Sequence, residues 1–393
     1  YSSAFICSDS KVRSIELRTN QQSANPIMNL AGQTEFLELH FDILESNPRD
    51  LTYTLVLCNQ DWSINQNLNP SQYLSGFTIS NNIDYDFSIN TKVNYIHYFI
   101  RFPEESVYPT LSGNYLLQVK ENDTLLFQYP LLVTEQSIPI SGSLGLTNAL
   151  DNRQTDHQIQ FTVNLGNDFP PTASQEISAT IFQNFSKYDV VENLKPDNFN
   201  NTQLNFGFYG NNSLPALNEY RAFDNVDLYN RSIRIYQQNT NADTVRITLY
   251  LDKPLVRNSY LTLRDLNGDF VIGNRQGISP DTDADYCYVR FTYDSPFLAG
   301  QALVLNGKAF DFQNYSLQYL PSEGLYYRDV LLKQGFYNYR YTSITSSGSN
   351  TQKHEGSYLQ TENEYNIVIY RRAFGRQYDQ ILGIINLNSA NKF

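Results

Sequence analysis

The most regular feature of the chain is the alternation of apolar and polar side chains with a period of two residues. From Glu35 to Ile43 the odd-numbered positions read Glu, Leu, Leu, Phe and Ile, and the even-numbered positions between them include His40 and Asp42. Successive side chains of a strand point to opposite faces of a sheet, so the pattern predicts a strand with one face in a core and one largely in water. Comparable runs occur at 51–58, 95–102, 114–120 and 125–133.

Further runs of this kind continue along the chain, separated by clusters of Asn, Pro, Gly and Ser. Many short strands at such spacing are typical of antiparallel sandwiches. The segment 139–148 is predicted to be a linker, and SPDTDAD at 279–285 is predicted to mark a second boundary. We therefore predict an all-β fold of three tandem antiparallel β-sandwich domains, immunoglobulin-like or early-set in type, over residues 1–136, 137–280 and 281–393.

One hairpin carries a strong local signal. In YLTLRDLNGDFVIG (260–273), Asn267 and Gly268 are the residue types that adopt the positive φ values of a type I′ turn.

Composition narrows the class of protein. The chain has 393 residues with 30 Tyr and 24 Phe, only 17% of its residues are charged, and its net charge is −12. Aromatic side chains favour sheets and argue against a helical bundle or a disordered chain. Residues 1–136 hold 15 acidic and 7 basic side chains. A net-negative chain without a basic run repels phosphate, so nucleic acid is not predicted as a partner.

The first residue and the cysteines are informative about the cellular compartment of the protein. Because the sequence begins at Tyr1, we expect that an N-terminal segment, a secretory leader, has been removed. No window approaches 18 continuous apolar residues, so no spanning helix is predicted. Cys7, Cys58 and Cys287 fit neither a redox pair nor a zinc site and are interpreted as buried or free thiols. A Cys7–Cys58 bridge stays open as an alternative in an oxidising compartment.

Catalytic signatures are absent from the sequence. There is no HExxH, G-x-S-x-G, GxGxxG or GxxxxGK[ST] motif. The four histidines are scattered: His40 and His97 lie inside strand runs, and His157 and His354 lie near strand starts or loops. We therefore predict no catalytic residue, no metal site and no cofactor.

Each of two acidic clusters can be interpreted either as ordinary turn or junction structure or as a cation-binding site. The run from Asp265 to Asp269 resembles a calcium loop only superficially, because its Gly stands at the fourth position, and a hairpin turn is favoured. Asp281, Asp283 and Asp285 alternate, so in an extended linker they could share one side and hold a hard cation. A solvated domain junction with Asx turns is the favoured interpretation.

Three surface features are candidates for partner contact. Residues 182–229 are predicted to be a long, mostly irregular segment in which aromatic residues, among them Phe206, Phe208 and Tyr209, stand among Asn, Gly and Pro. Such aromatics are typical of protein interfaces, and the alternative is that they fold back on their own sheet. The same two interpretations apply to a second cluster, which comprises Trp62, Tyr73, Leu74 and Phe77.

The third feature is basic. The run YRRAFGRQYD brings Arg371, Arg372 and Arg376 together, either as a spot that faces an acidic partner or as ordinary solvated strand ends.

Segments in all three predicted domains also resemble a known family, the plug proteins of the type IX secretion system, which are periplasmic all-β proteins of the Bacteroidota. The resemblance covers nearly the whole chain in order, through strand-and-turn patterns rather than a catalytic signature. It is carried by YTLVLCNQDWSINQNLNPSQYLSGF (53–77), FSINTKVNYIHYFIRFPEESVYPTLSGNYLLQV (87–119), NEYRAFDNVDLYNRSIRIY (218–236), LDKPLVRNSYLTLRDLNGDF (251–270), EGLYYRDVLLKQGFYNYRY (323–341) and TENEYNIVIYRRAFGRQYDQILGI (361–384).

The resemblance implies a non-enzymatic protein at the inner face of the outer membrane, peripheral to it only through its partner. That partner would be the giant outer-membrane β-barrel translocon with its accessory subunits, whose periplasmic mouth the plug seals sterically when no substrate is passing. The rival hypothesis is a glycan-binding protein of the cell envelope, because the third domain looks similar to early-set sandwiches that bind starch or glycogen. An enzyme with paired carboxylates is a more distant alternative.

Overall fold

The computed structural model describes residues 1–20, 22–30, 36–104, 107–166, 169–170, 172–200, 202–209, 212–241, 243–256, 259–275, 277, 279–390 and 392–393. Its regular structure is almost entirely β-strand in mostly antiparallel sheets, which confirms the predicted all-β fold. The few short helices are Pro70–Tyr73, Ala173–Glu176, Pro280–Asp283 and Gln352–Glu355, with 3-10 turns at Ser2–Ala4, Leu150–Asn152 and Lys308–Phe310.

The first part of the chain forms a sandwich of two five-stranded sheets, called here the N-terminal sandwich. Its core combines apolar side chains from the facing sides of both sheets. One sheet has the order Ile6–Cys7, Thr124–Thr134, Gly113–Glu121 and Leu51–Cys58, with Ile27–Asn29 parallel to Thr124–Thr134. The other has the order Gln22–Ser23, Val12–Thr19, Leu37–Ile43, Ile96–Phe102 and Asp84–Phe87, and a separate ribbon pairs Val107–Pro109 with Leu74–Gly76.

Strand Leu37–Ile43 shows how the period of two is used, and where the sequence prediction was wrong. Its odd positions are buried in the core as predicted, with Leu39 and Phe41 at 0% exposure. The opposite face is not wet, because His40 and Asp42 are 8% and 0% exposed. Another part of the chain covers that face. Residue 35, where the predicted run begins, lies outside the described residues.

A second sandwich, the middle sandwich, is built from two distant parts of the chain. Strand Ile177–Gln183 pairs with Glu364–Arg371, nearly two hundred residues later. One sheet has the order Ile140–Leu146, Asp156–Asn164, Gln203–Phe206 and Asn198–Phe199, with Ser213–Pro215 on Asp156–Asn164, and the other has the order Val190–Leu194, Ile177–Gln183, Glu364–Arg371 and Gln380–Asn388. Their shared core includes Phe161, Leu204 and Ile367.

The third sandwich, called the inserted sandwich, lies between these two parts in sequence. Its core is rich in rings, including Phe223, Phe291, Tyr337 and Tyr339. One sheet has the order Arg221–Asp224, Gly335–Thr345 and Phe270–Ile272, with Ala302–Asn306 and Gly348–Asn350 also on Gly335–Thr345. The other has the order Ile235–Thr240, Val245–Leu249, Tyr286–Asp294, Leu325–Lys333 and Gln318–Leu320.

These pairings cross the boundary predicted between residues 280 and 281. Val245–Leu249 pairs in parallel with Tyr286–Asp294, which joins residues on either side of that boundary in one sheet. Strands that share a ladder and a core belong to one folding unit. We propose a revised division: an N-terminal sandwich to about residue 136, a discontinuous middle sandwich, and an inserted sandwich from about residue 218 to 360.

The predicted turn at Asn267–Gly268 is confirmed, and the hairpin around it is not. The two residues have φ of 52° and 86°, and the Asp269 N–H donates to the Leu266 carbonyl at 3.1 Å. Phe270–Ile272 then pairs with strand Gly335–Thr345. Residues 260–266 form no strand in the described structure. Turn chemistry is local, whereas the choice of ladder partner depends on the rest of the fold.

Candidate docking surface

The turn that follows strand Gln203–Phe206 presents two of the predicted aromatic residues to solvent. Phe208 and Tyr209 are 42% and 75% exposed. Phe206 differs from them, because it is fully buried with its ring stacked on Phe161 at 4.5 Å. Phe206 is therefore a core residue and offers no surface to a partner.

Two features fix the backbone at Gly207 and Phe208, where this turn begins. Gly207 has φ of 79°, and a Cβ there would lie 2.1 Å from the Ile159 carbonyl oxygen. The Phe208 N–H donates to the Asp197 carboxylate at 2.6 Å. Only glycine fits such a backbone, so Phe208 and Tyr209 are held on a rigid support, which is the arrangement that favours interface anchors.

More than half of the described residues of 182–229 lie outside strands, as predicted, but short strands interrupt the segment throughout. Residues 201 and 210–211 lie outside the described residues, and of the others somewhat less than half are paired β-structure. Both interpretations of its rings hold at different positions, because Phe185 and Phe223 are buried whereas Phe199 and Tyr229 are 60% and 77% exposed. The strands of this segment are Val190–Leu194, Asn198–Phe199, Gln203–Phe206, Ser213–Pro215 and Arg221–Asp224.

The three arginines of the predicted basic spot all have partners within the chain. Arg371 pairs with Glu176 at 2.8 Å and lies over the Phe169 ring. Arg372 pairs with Asp379 at 3.2 Å. Arg376 donates to the Tyr378 hydroxyl at 2.8 Å and to Gln380 at 3.2 Å. Arg371 and Arg372 are thus neutralised locally, and the positive charge of this spot rests mainly on Arg376.

Phe374, a residue that the sequence analysis did not single out, is the most exposed ring of this region. It is 99% exposed at the tip of the hairpin between strands Glu364–Arg371 and Gln380–Asn388. Gly375 has φ of 81°, and the Asn65 amide donates to the Gln377 carbonyl at 2.7 Å, so the tip is anchored on the N-terminal sandwich. The Phe-Gly pair between two apolar runs is the sequence signal that could have found it.

The second predicted aromatic cluster divides between core and surface. Trp62 and Tyr73 are 4% exposed and Leu74 is 5% exposed, whereas Phe77 is 71% exposed. Trp62 packs against Tyr1 with ring centroids 5.3 Å apart. The single Trp of the chain therefore belongs to the interior.

The cysteines and the acidic run are accounted for by internal contacts. Cys7, Cys58 and Cys287 are free thiols, as interpreted from the sequence, and no Cys7–Cys58 bridge forms. The Asp281–Asp285 run is not a solvated linker. Asp285 is 8% exposed and accepts the N–H groups of Lys92 and Tyr286, and Asp281 pairs with Arg18.

An apolar cluster joins the N-terminal and middle sandwiches. It is formed by outward faces of their sheets together with the first residues of the chain. Its buried members include Leu116 and Leu132 from the first sandwich and Phe182 and Val368 from the second, all at or below 2% exposure. Burying apolar surface between two sheets is the main force that holds such units together.

A buried polar network joins the N-terminal and inserted sandwiches. The Asp42 carboxylate accepts from Lys333 Nζ, the Tyr286 hydroxyl and His97 Nδ1, each at 2.7 Å. Burial alone would raise the pKa of Asp42, but the Lys333 ammonium and the His97 hydrogen bond outweigh it and hold that pKa below its ordinary value. The Asp42 carboxylate on the covered face of strand Leu37–Ile43 is therefore ionised and paired.

Two further polar contacts involve buried side chains. Arg340 is 1% exposed; it pairs with Asp189 of the middle sandwich and lies 4.2 Å from the Tyr220 ring. Burial raises the pKa of Glu219 to about 7, and Tyr260 donates a hydrogen bond to that carboxylate.

No helix in the described part of the chain is long and apolar enough to cross a membrane. A search of curated proteins gives no match. The family model described as "Type 9 secretion system plug protein 1st domain" matches residues 12–135. The chain is also similar to a crystal structure of a hypothetical protein from Parabacteroides merdae, with TM-score 0.92, 28% identity and 98% of each chain covered.

Proposed function

We propose that the whole chain acts as the plug of the type 9 secretion system, because the family model of that plug's first domain matches residues 12–135. It docks, without catalysing a reaction, on the periplasmic mouth of the outer-membrane β-barrel translocon. There it blocks the pore when no substrate is passing. It lies in the periplasm, at the inner face of the outer membrane, and needs no cofactor.

The observation that carries this proposal, beside the family match, is the way the sandwiches are joined. An apolar cluster, the Asp42–Lys333 pair and the Arg340–Asp189 pair connect units that would otherwise move independently. Domains joined only by small polar contacts move relative to one another by default. A steric seal needs a body that keeps its shape under solute flux, and these buried contacts supply it.

The docking residues that we propose are the exposed rings on fixed turns. Phe208 and Tyr209 stand on one turn, and Phe374 stands with Arg376 on the hairpin tip. Aromatic side chains on rigid supports bind with little loss of conformational freedom. Because the seal must open, we expect an interface of moderate size with a polar rim. Arg371 and Arg372 contribute to this surface through the ion pairs that shape it.

The experiment is affinity purification of tagged chains from outer-membrane extracts. The wild type is expected to bring down a very large β-barrel protein, and a Phe208→Ser, Tyr209→Ser, Phe374→Ser variant is expected to recover at most about a tenth as much, since each lost anchor costs about 1–2 kcal/mol. Phe297→Ser, at a ring 64% exposed on the inserted sandwich, is the matched control. Absence of any barrel from the wild-type preparation contradicts the proposal itself.

A permeability assay tests sealing separately from docking. Cells without the plug, but with an open translocon, are expected to admit small dyes that wild-type cells exclude. The wild-type gene restores exclusion and the triple variant does not. Equal dye entry with and without the gene contradicts a sealing role even if docking is observed.

The glycan-binding hypothesis keeps one supporting observation. Tyr236 and Tyr250 are 56% and 50% exposed and form a pair with centroids 5.5 Å apart. Their planes meet at 66°, whereas sugar stacking uses a flat platform, and Trp62 is buried. A glycan array with the wild type and Tyr236→Ser tests it, and binding lost in the variant favours this function.

A further inference from the structure

Two histidines that lie 57 residues apart in sequence meet on neighbouring strands of the N-terminal sandwich. Strand Leu37–Ile43 pairs with Ile96–Phe102, and His40 and His97 project from the same face. His40 Nδ1 lies 3.0 Å from His97 Nε2. Asp281 lies on the short helix Pro280–Asp283 of the inserted sandwich and places a carboxylate oxygen 3.9 Å from the same His97 Nε2. One ligand atom from each of the three residues lies within 4.8 Å of the others.

The protonation of the pair can be worked out from its hydrogen bonds. His97 Nδ1 faces the Asp42 carboxylate at 2.7 Å, so it carries a proton, and Nε2 of a neutral His97 is then a bare lone pair. A neutral His40 must donate from Nδ1 to that lone pair, which leaves its own Nε2 without a proton. His40 Nε2 is buried, makes no hydrogen bond in the described structure and lies 3.6 Å from the Glu38 carboxylate. The lone pairs of His40 Nε2 and of the Glu38 carboxylate oxygen would thus face each other without a proton between them.

We propose that a divalent first-row transition ion such as Zn²⁺ binds between His40 Nδ1, His97 Nε2 and the Asp281 carboxylate. With the ion in place every imidazole nitrogen has a partner. His97 Nδ1–H donates to Asp42, His40 Nε2–H turns to Glu38, and the two remaining nitrogens bind the metal. A carboxylate behind each ligating imidazole is the usual support for a metal-bound histidine.

The spacing of the ligands fits such an ion. Tetrahedral zinc with bonds of about 2.0–2.1 Å places its ligand atoms about 3.3 Å apart. The two imidazole nitrogens, at 3.0 Å, need to separate by only about 0.3 Å. The Asp281 oxygen, 3.9 Å from His97 Nε2, needs to approach that nitrogen by about 0.6 Å, and because all three ligand atoms lie within 4.8 Å of one another, no pair has to close by more than about 1.5 Å. The shift of Asp281 is available because its side chain is 32% exposed on a short helix.

The charges around the site favour a cation. Asp42, Asp281, Glu38 and Glu16 surround it with four carboxylates, against the three cations of Arg18, Lys333 and Arg101, the last of which pairs with Glu38 at 2.6 Å. Arg18 donates to Asp281 at 2.8 Å and holds that carboxylate beside the imidazoles. The ion would link the N-terminal sandwich to the inserted one.

The test is calorimetric titration of Zn²⁺ into the chelator-treated, full-length chain. We expect one site per chain, and a loss in affinity of at least about 100-fold in both His40→Gln and His97→Gln, because each removes one of only three protein ligands. Glu38→Gln, which alters a supporting carboxylate, is expected to weaken binding about 10–100-fold. The matched control is His354→Gln, a buried histidine outside the site, which should bind zinc as the wild type does.

A second measurement keeps the proposal testable if a variant folds poorly. Co²⁺ bound to the wild type should give the visible absorption of a four- or five-coordinate ion with nitrogen ligands, and zinc should displace it. Zinc should also raise the melting temperature of the wild type and leave that of His40→Gln unchanged. No saturable zinc binding by the wild type, a six-coordinate Co²⁺ spectrum, or equal affinity in wild type and His40→Gln would each overturn the proposal.

Discussion

The sharpest test of the buried interface is the replacement of Lys333 by Met. The Lys333 side chain is 1% exposed and that of Asp42 is 0% exposed, with 2.7 Å between their charged atoms. Methionine fills a similar volume without a charge, so it leaves the Asp42 carboxylate buried with only the neutral donors Tyr286 and His97. Removing one partner of such a pair costs about 3–5 kcal/mol, because the remaining charge has lost its compensation.

The assay is urea denaturation followed by far-UV circular dichroism, with a chelator present so that metal binding does not contribute. Lys253→Met is the control, because Lys253 is 68% exposed and its pair with Asp294 spans 3.5 Å. That exposed pair is expected to contribute at most about 1 kcal/mol to the free energy of unfolding. The double variant Asp42→Asn, Lys333→Met should recover about 1–3 kcal/mol relative to the sum of the single changes.

The reasoning is refuted if Lys333→Met costs no more than Lys253→Met. It is also refuted if the double variant is as unstable as the two single changes added together. Either result would mean that solvent reaches Asp42, so the N-terminal and inserted sandwiches would not be held together as described. The rigid body on which the proposed seal depends would then be lost.

Three further predictions concern other parts of the chain. Burial, with the neighbouring Lys353 and Arg221 cations, lowers the pKa of His354 to about 4. As the pH falls, the unfolded chain therefore binds a proton at His354 near pH 6.5, whereas the folded chain does not, so the free energy of unfolding decreases between pH 6.5 and 4. The difference in that free energy between the wild type and His354→Gln should shrink by about 3 kcal/mol from pH 7 to pH 4. A difference that stays constant over this range would contradict the reasoning. Gly207→Ala should cost more than Gly166→Ala in chemical denaturation, because both have positive φ but only the first adds a clash. Phe182→Ala should cost about 3–5 kcal/mol and shift the emission of Trp62 through their shared cluster, whereas unchanged emission would place the two residues in separate units.

The sequence by itself determined the local features of this protein. The period of two placed Leu39 and Phe41 in a core, because side-chain alternation is a property of every strand. The Asn267–Gly268 turn followed from the φ values that those residue types tolerate. The aromatic and turn-rich composition indicated sandwiches, and the resemblance in the first domain was confirmed over residues 12–135.

The tertiary structure alone decided which strands meet and what covers them. Ile177–Gln183 pairs with Glu364–Arg371 across an insertion, a long-range choice that local propensity does not encode. His40 and Asp42 were predicted to lie on a face exposed to water, but they are buried. Polar side chains alternate with apolar ones in the same way whether they face water or another part of the protein, so the pattern does not distinguish the two cases. The meeting of His40, His97 and Asp281 depends on strand register and on the packing of two sandwiches, and neither can be read from spacing along the chain.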